Sequence, residues 1–374
     1  MKKFLLMAGI LLSSHLAAQA AEQFVKFSAP QQDALLPTGS NHTIRYSQND
    51  WKGVKMAVEN LRNDLRAVTG SDKAPVVVAT VGKSELAKKY ARECKQLKGK
   101  WEKFLIFTDH GRLVVLGSDK RGTIYGIYEL SRQIGVSPWY WMGDAPISRH
   151  DKIYVVPGTY TDGEPKVKYR GIFINDEWPS FGGWCTNKFG GINSKAYRHI
   201  FELLLRLKAN YFWPAMWATN FNEDDPESPR LADEMGIVMG TSHHEPMMRS
   251  HREYLKRKDE VGPWNYATNP DRLDKFFMDG MKRNAKYENL VTIGMRGDGD
   301  VAMGNGDDAE NIKTLGKVIE AQRRIIGEAY GKPASKVPQL WAIFTEVQRY
   351  YDAGFTVPDD VTLLLCDDNW GNVR

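Results

Sequence analysis

The sequence predicts an α/β protein in two parts. An N-terminal α/β sandwich domain is expected over residues 21–160, followed by a (β/α)8 TIM-like barrel over 161–374 that stops after about six strands. Three observations predict it. Six apolar strand-like runs recur after residue 166, each followed by a loop and then a helical pattern, which is the rhythm of right-handed βαβ units and a parallel sheet. No glycine-rich phosphate fingerprint accompanies them, so a barrel is favoured over a doubly wound sheet. The chain stops at Val373-Arg374, just after the sixth run, so a fragment is expected, lacking two barrel strands and exposing two sheet edges.

Each element has a local reason. "MKKFLLMAGILLSSHLAAQA" reads as a signal peptide over residues 1–20, with Lys2 and Lys3 as its positive start and Ala18-Gln19-Ala20 as its cleavage site. Cleavage after Ala20 and export to the periplasm or beyond are therefore expected. The apolar stretch is too short to span a bilayer, and no later stretch is long and apolar enough. "WKGVKMAVENLRNDLRAVTG" carries Val54, Ala57, Leu61, Leu65 and Val68 at helical spacing and ends at Gly70. "APVVVATVG" is a β-branched strand, and "EKFLIFTDHGRLVVLGSD" is a hairpin turning at Asp109-His110-Gly111. "RGTIYGIYELSRQIGV" is a second helix, and "VVPGTYTDGEPKV" is a linker. The barrel strands are "VKYRGIFIND", "ANYFWPAMW", "GIVMGTSHHEP", "NLVTIGMRGDGD", "VPQLWAIFTEV" and "VTLLLCDDNW".

Composition narrows the function. The 374 residues carry 51 basic and 46 acidic side chains, a net charge of +5 without a Lys/Arg block, so nucleic acid is not indicated. Cys94, Cys185 and Cys366 have no motif spacing, so neither a disulfide framework nor a zinc site is expected. Eleven Trp and sixteen Tyr suit sugar faces, although aromatics more often pack cores.

In a parallel barrel the site lies at the carboxyl ends of the strands. There the successive runs place Asn175, Asp176 and Glu177; Trp213 and Trp217; His243, His244 and Glu245; Arg296, Asp298 and Asp300; Glu346; and Asp367, Asp368 and Asn369. One such group is a solvated loop, whereas a set converging on one face points to a site. On strands, Asp298 and Asp300 would share a face, as would His243 and Glu245, with His244 opposite. A Gly-Asp turn is the plain alternative for 296–300, and Ala302 leaves a calcium loop without its third donor. "SHHEP" offers at most two metal ligands locally, so no metal is expected. Ser-His-Asp catalysis lacks a G-x-S-x-G elbow. The methionine pairs 247–248 and 278/281 suit packing. Many acids with Arg, His, Asn and Trp, and no cofactor signature, point to glycoside hydrolysis, which needs a carboxylic acid and a second carboxylate. Arg296 would be costly if buried unpaired, but suits a substrate that bears a carboxylate of its own.

The runs "RGIFINDEWPSFGGW", "LLLRLKANYFWPAMWATNFNEDDP", "LADEMGIVMGTSHHEPMMR", "VTIGMRGDGD", "FTEVQRYYDAG" and "LLLCDDNWGN" resemble glycoside hydrolase family 115, the xylan α-1,2-glucuronidases. The likeness covers roughly residues 100 to 374 and includes "LGSDKRGTIYGIYELSRQIGVSPWYW". It implies removal of glucuronic acid, or its 4-O-methyl form, from glucuronoxylan with inversion, no cofactor, and a longer full-length protein that could be a homodimer. Carried over by position, it makes Glu346 the general acid, with a pKa raised by burial, and Asp300 the base. Asp176 or Glu177 is the rival base. Arg296 would meet the uronic carboxylate, His243 and Asn369 the sugar hydroxyls, and Trp217 would be the sugar platform. Two alternatives stand beside this. Asp176-Glu177 is the kind of adjacent acid pair hexosaminidases use, and a secreted carbohydrate-binding protein could keep the site's shape without turnover.

Overall fold

The computed structural model describes residues 23–28, 34–36, 42–214, 216–304, 307–367 and 371–372. The leader expected over residues 1–20 lies outside them, as does Asn369.

The first half holds β1 (Val25–Lys26), β2 (Ala34–Leu36), α1 (Lys52–Thr69), β3 (Val76–Thr80), α2 (Ala91–Leu97), β4 (Phe104–Asp109), β5 (Arg112–Gly117), α3 (Lys120–Gln133), β6 (Ile153–Val155) and β7 (Thr159–Tyr160). β6 lies between β1 and β2, antiparallel to both. The larger sheet runs β3-β5-β4-β7, with β3 and β5 parallel and the β4–β5 hairpin antiparallel. Every residue of β3 is buried because both of its faces are covered. Val76 and Val78 join the cluster that includes Val58 and Leu61 of α1 and Ile127 of α3. Val77 and Ala79 point the other way, against Ala87, Tyr90 and Leu97. That alternation makes the strand read as continuously apolar.

The second half follows as β8 (Gly171–Ile174), α4 (Phe181–Phe189), α5 (Ser194–Arg206), β9 (Tyr211–Pro214), α6 (Glu227–Met235), β10 (Val238–Met239), α7 (His251–Lys256), α8 (Lys258–Val261), α9 (Pro270–Asn284), β11 (Val291–Ile293), α10 (Asp308–Tyr330), β12 (Gln339–Ile343), α11 (Glu346–Asp352) and β13 (Val361–Leu365). β8, β9 and β10 form one parallel sheet and β11, β12 and β13 another. A parallel bridge between Met239 and Asn289 joins them, so six strands run side by side in chain order. Among the described residues they do not close into a barrel; the architecture observed is mixed α/β with small parallel sheets. The start of α5 is set by Asn193, whose side chain accepts from the Lys195 and Ala196 amides, and that of α10 by Asp307, which accepts from Ala309 and Glu310.

One apolar cluster runs through both halves, from Phe24 to Val361. Polar contacts cross with it. Glu102, almost fully buried, accepts from Arg121 (2.5 Å), Arg170 (2.6 Å) and Asn210 (2.8 Å). Arg121 also reaches Glu288 (2.7 Å), and Lys120 donates to the Asp233 carbonyl (2.5 Å). Buried Arg206 of α5 pairs with Asp64 of α1 at 2.9 Å and with Glu202 at 2.8 Å. Among the described residues no helix is long and apolar enough to cross a membrane.

Candidate active site

The loops after β10, β11 and β12 meet around one guanidinium. Arg296, buried two residues beyond a Gly294 with φ +99°, carries five N–H groups, and all five are taken by this chain. Nε donates to Glu346 Oε1 (2.9 Å) and Nη2 to Glu346 Oε2 (2.6 Å). Nη2 also donates to Thr345 Oγ1 (3.0 Å), and Nη1 donates to the Asp300 carbonyl (2.8 Å) and carboxylate. The Arg296 carbonyl is held by Trp264 Nε1 at 2.9 Å, and Gly297 N closes the loop onto Val301 O at 2.8 Å. The ring of Phe344 lies 5.6 Å from the guanidinium carbon and 4.4 Å from the His243 ring.

Both carboxyls answer to that cation. Burial raises the pKa of Asp300, but the His243 hydrogen bond and the charges of His244, His243 and Arg296 outweigh it and hold it down to about 2. Glu346 is 4% exposed. Its burial also raises the pKa, yet the Arg296 and Thr345 hydrogen bonds pull it below the usual carboxylate range. The raised pKa expected for Glu346 is therefore not found: burial is present, but a bidentate guanidinium outweighs it. Arg296 likewise pairs with the site's own acids, so a uronate carboxylate must displace one of them to reach it.

A hydrogen-bond chain leads away from Asp300. His243 Nε2 lies 3.0 Å from Asp300 Oδ1, and Ser242 Oγ lies 3.0 Å from His243 Nδ1 and 3.2 Å from His244 Nδ1. An ionised Asp300 can only accept, so His243 Nε2 carries the proton. The single Ser242 hydroxyl proton serves only one of the two imidazole Nδ1 atoms, so Ser242 donates to one ring and accepts from the other. Burial pushes the His244 pKa down to about 4, against the raising charge of Asp300. His244 is thus a neutral ring, stacked on Trp217 with centroids 4.7 Å apart.

The remaining expected residues divide. Buried Asp176 accepts from the amides of Trp217 (3.2 Å), Ala218 (2.9 Å) and Thr219 (2.9 Å) and from the Thr219 hydroxyl (2.9 Å). It fixes the Trp217 loop. Glu177 is exposed beside it. Two strand-based expectations are corrected, because the strands end earlier than the sequence suggests. β11 stops at Ile293, so Asp298 and Asp300 sit on a turn and diverge, Asp298 going to His251 (2.7 Å) and Lys258 (3.2 Å). β10 stops at Met239, so His243 and His244 both approach Asp300 while Glu245 is fully buried. Burial, and to a lesser degree the Asp176 charge, push Glu245 up to about 8 against a hydrogen bond from Ser242 N.

Ser242 and Thr345 were not expected in the site, and His244 was expected on the side opposite His243. Thr345 is a β-branched residue held at φ 50°, ψ −117°, a strained conformation of the kind found at functional sites. His243, His244 and Asp300 present ligand atoms within 4.8 Å of one another. A divalent ion there would face the Arg296 charge on the same carboxylate, which weighs against it.

The profile of glycosyl hydrolase family 115 matches residues 162–374, more than half of the chain. A solved family GH115 4-O-methyl-α-glucuronidase with specificity for decorated arabinogalactans is 34% identical, with a TM-score of 0.85 over 91% of this chain. The chain belongs to glycosyl hydrolase family 115. It spans 47% of that family 115 structure. Two further structures share the fold alone. The Flavobacterium johnsoniae chitobiase is 12% identical at a TM-score of 0.55, covering 94% of this chain and 55% of its own. The Vibrio harveyi exo-β-N-acetylglucosaminidase is 10% identical at 0.53, covering 91% and 56%. No curated protein matches the sequence. The family 115 match spans the three loops that build the Arg296 cluster.

Proposed function

We propose that this family 115 protein is a glycoside hydrolase that releases α-1,2-linked glucuronic acid, or its 4-O-methyl form, from glucuronoxylan with inversion. The observation that carries the reading is Asp300 and Glu346 on opposite edges of one buried guanidinium. The guanidinium between them holds the two carboxyl groups apart, and an inverting pair likewise needs its acid and base separated, by ~6.5–9.5 Å, to admit a water.

Glu346 is the acid and Asp300 the base. A uronate carboxylate arriving at Arg296 takes N–H groups from Glu346 and adds negative charge beside it. Both changes raise the Glu346 pKa, so the substrate itself loads the acid. Asp300, shared with His243, stays ionised and activates water. Trp217 supplies a platform, with His243, Asn369 and Glu177 for hydroxyls and Asp176 holding the loop. The hexosaminidase reading is less favoured, since Asp176 is spent on four hydrogen bonds while Glu177 faces solvent. The solved relative's specificity makes decorated arabinogalactan a second polymer to assay. We further propose that residues 161–374 form barrel strands, that 21–160 form the domain beneath them, and that residues 1–20 direct export.

Incubation with aldouronic oligosaccharides, followed by proton NMR of the first sugar released, tests the reading. Glucuronic acid appearing first as the β-anomer, and lost in Glu346→Gln, is the expected result. The α-anomer, N-acetylhexosamine, or binding without release would overturn it.

A further inference from the structure

Trp178 stands two residues beyond Asp176 and is 53% exposed. It sits just ahead of α4, and its ring lies on the bare backbone of that helix's first turn. A Cβ added at Gly182 would meet ring atoms Cε3, Cδ2 and Cζ3 at 2.5–2.7 Å, and one at Gly183 would meet Cδ1 at 3.5 Å. Any side chain at 182 would lift the indole; glycine there lets one face lie flat. Exposure of about half is what a ring shows when one face is covered and the other is open.

The loop beneath is fixed. The Gly182 amide donates to the Glu177 carbonyl at 3.0 Å, and Asp176 ties the segment to the Trp217 loop through four hydrogen bonds. Trp217 repeats the arrangement, with His244 against one face and 43% of its surface exposed. Trp51 is as open as Trp217 but differs, since the Lys83 ammonium sits 4.6 Å from its ring centre. Two indoles, each floored on one side, thus leave loops joined by a single carboxylate.

We propose that Trp178 is a stacking platform for a neutral pyranose of the polysaccharide main chain, beside the unit that carries the uronic acid. The negative face of an indole attracts the C–H face of a sugar. The exposed Glu177 carboxylate next to it repels a second uronate, which selects a neutral ring. This rests on the hydrolase reading above, and the experiment separates the two.

The full chain and its Trp178→Ala and Trp178→Phe variants are assayed on a decorated xylo-oligosaccharide and on an aryl α-glucuronide, which has no main-chain sugar. In Trp178→Ala the ratio of kcat/KM on the oligosaccharide to that on the aryl glucuronide should fall roughly three- to tenfold, the range of one stacked ring. The fall should come from KM, and Trp178→Phe should restore most of it. An unchanged ratio would overturn the platform. If the wild type cleaves neither substrate, the activity ratio is undefined, and tryptophan fluorescence on titration with undecorated xylo-oligosaccharide decides the platform independently of the hydrolase reading. Quenching reduced in Trp178→Ala supports it, and equal quenching refutes it.

Discussion

Replacing Arg296 with leucine removes the cation from two carboxylates at once. Arg296 is 7% exposed and Glu346 4%, and taking one partner from a buried ion pair costs about 3–5 kcal/mol. Asp300 is more open than Glu346, so the low end applies, about 3 kcal/mol at pH 7. The sign of the pH dependence follows. In the wild type both acids have lowered pKa values. Each therefore adds stability above its unfolded value of ~4, lost as pH falls through the folded one. In the variant, burial without the guanidinium raises the Glu346 pKa, so stability is lost as pH climbs past ~4. The gap between the two proteins should be full at pH 7 and clearly smaller at pH 4, where the variant is free of the Glu346 penalty while the wild type still keeps its Asp300 contribution. Urea unfolding followed by circular dichroism at both pH values measures it. Equal losses at pH 4 and pH 7 would refute the reasoning. Adding Glu346→Gln to Arg296→Leu should recover about 1–2 kcal/mol at pH 7, because the two sites are coupled.

Glu245, pushed up to about 8, penalises the fold as pH rises from its unfolded value of ~4.3 through 8; Glu245→Gln should match the wild type near pH 5 and exceed it at pH 8.5, read by thermal melts. Arg206→Met leaves Asp64 buried and unpaired and should cost about 3–5 kcal/mol in urea unfolding; a loss below 1 kcal/mol would contradict the pairing. Ser242→Ala should cost about 1–2 kcal/mol and shift the His243 Nδ1 resonance in nitrogen NMR, whereas an unaltered signal would break the proposed chain.

The periodic elements were legible in the sequence for a simple reason. Val54, Leu61, Leu65 and Val68 repeat at helical spacing because one face of α1 is buried, and β3 reads as continuously apolar because helices cover both its faces. Gathering Arg296, Asp300, Glu346 and His243 was legible too, since parallel strands deliver their carboxyl-end loops to one side. What failed was the extension of strand geometry past residues 239 and 293. There the chain turns, and alternation stops dictating which side chains share a face, so Asp298 separated from Asp300 and His244 joined His243. The lowered Glu346 pKa was hidden for another reason: burial can be guessed from neighbours in sequence, whereas the guanidinium that outweighs it arrives from fifty residues away.

The contacts of Glu102, Lys120 and Arg121 all fall at the amino ends of the parallel strands. Arg170 and Asn210 directly precede β8 and β9, Asp233 lies just before β10, and Glu288 just before β11. The first half therefore grips four consecutive strands by their roots, at the pole remote from the guanidinium. Its leverage on the cluster is mechanical: a slip at Glu102 would travel the length of a strand and reappear as a misplaced tip, disturbing the loops around Arg296 from the far pole.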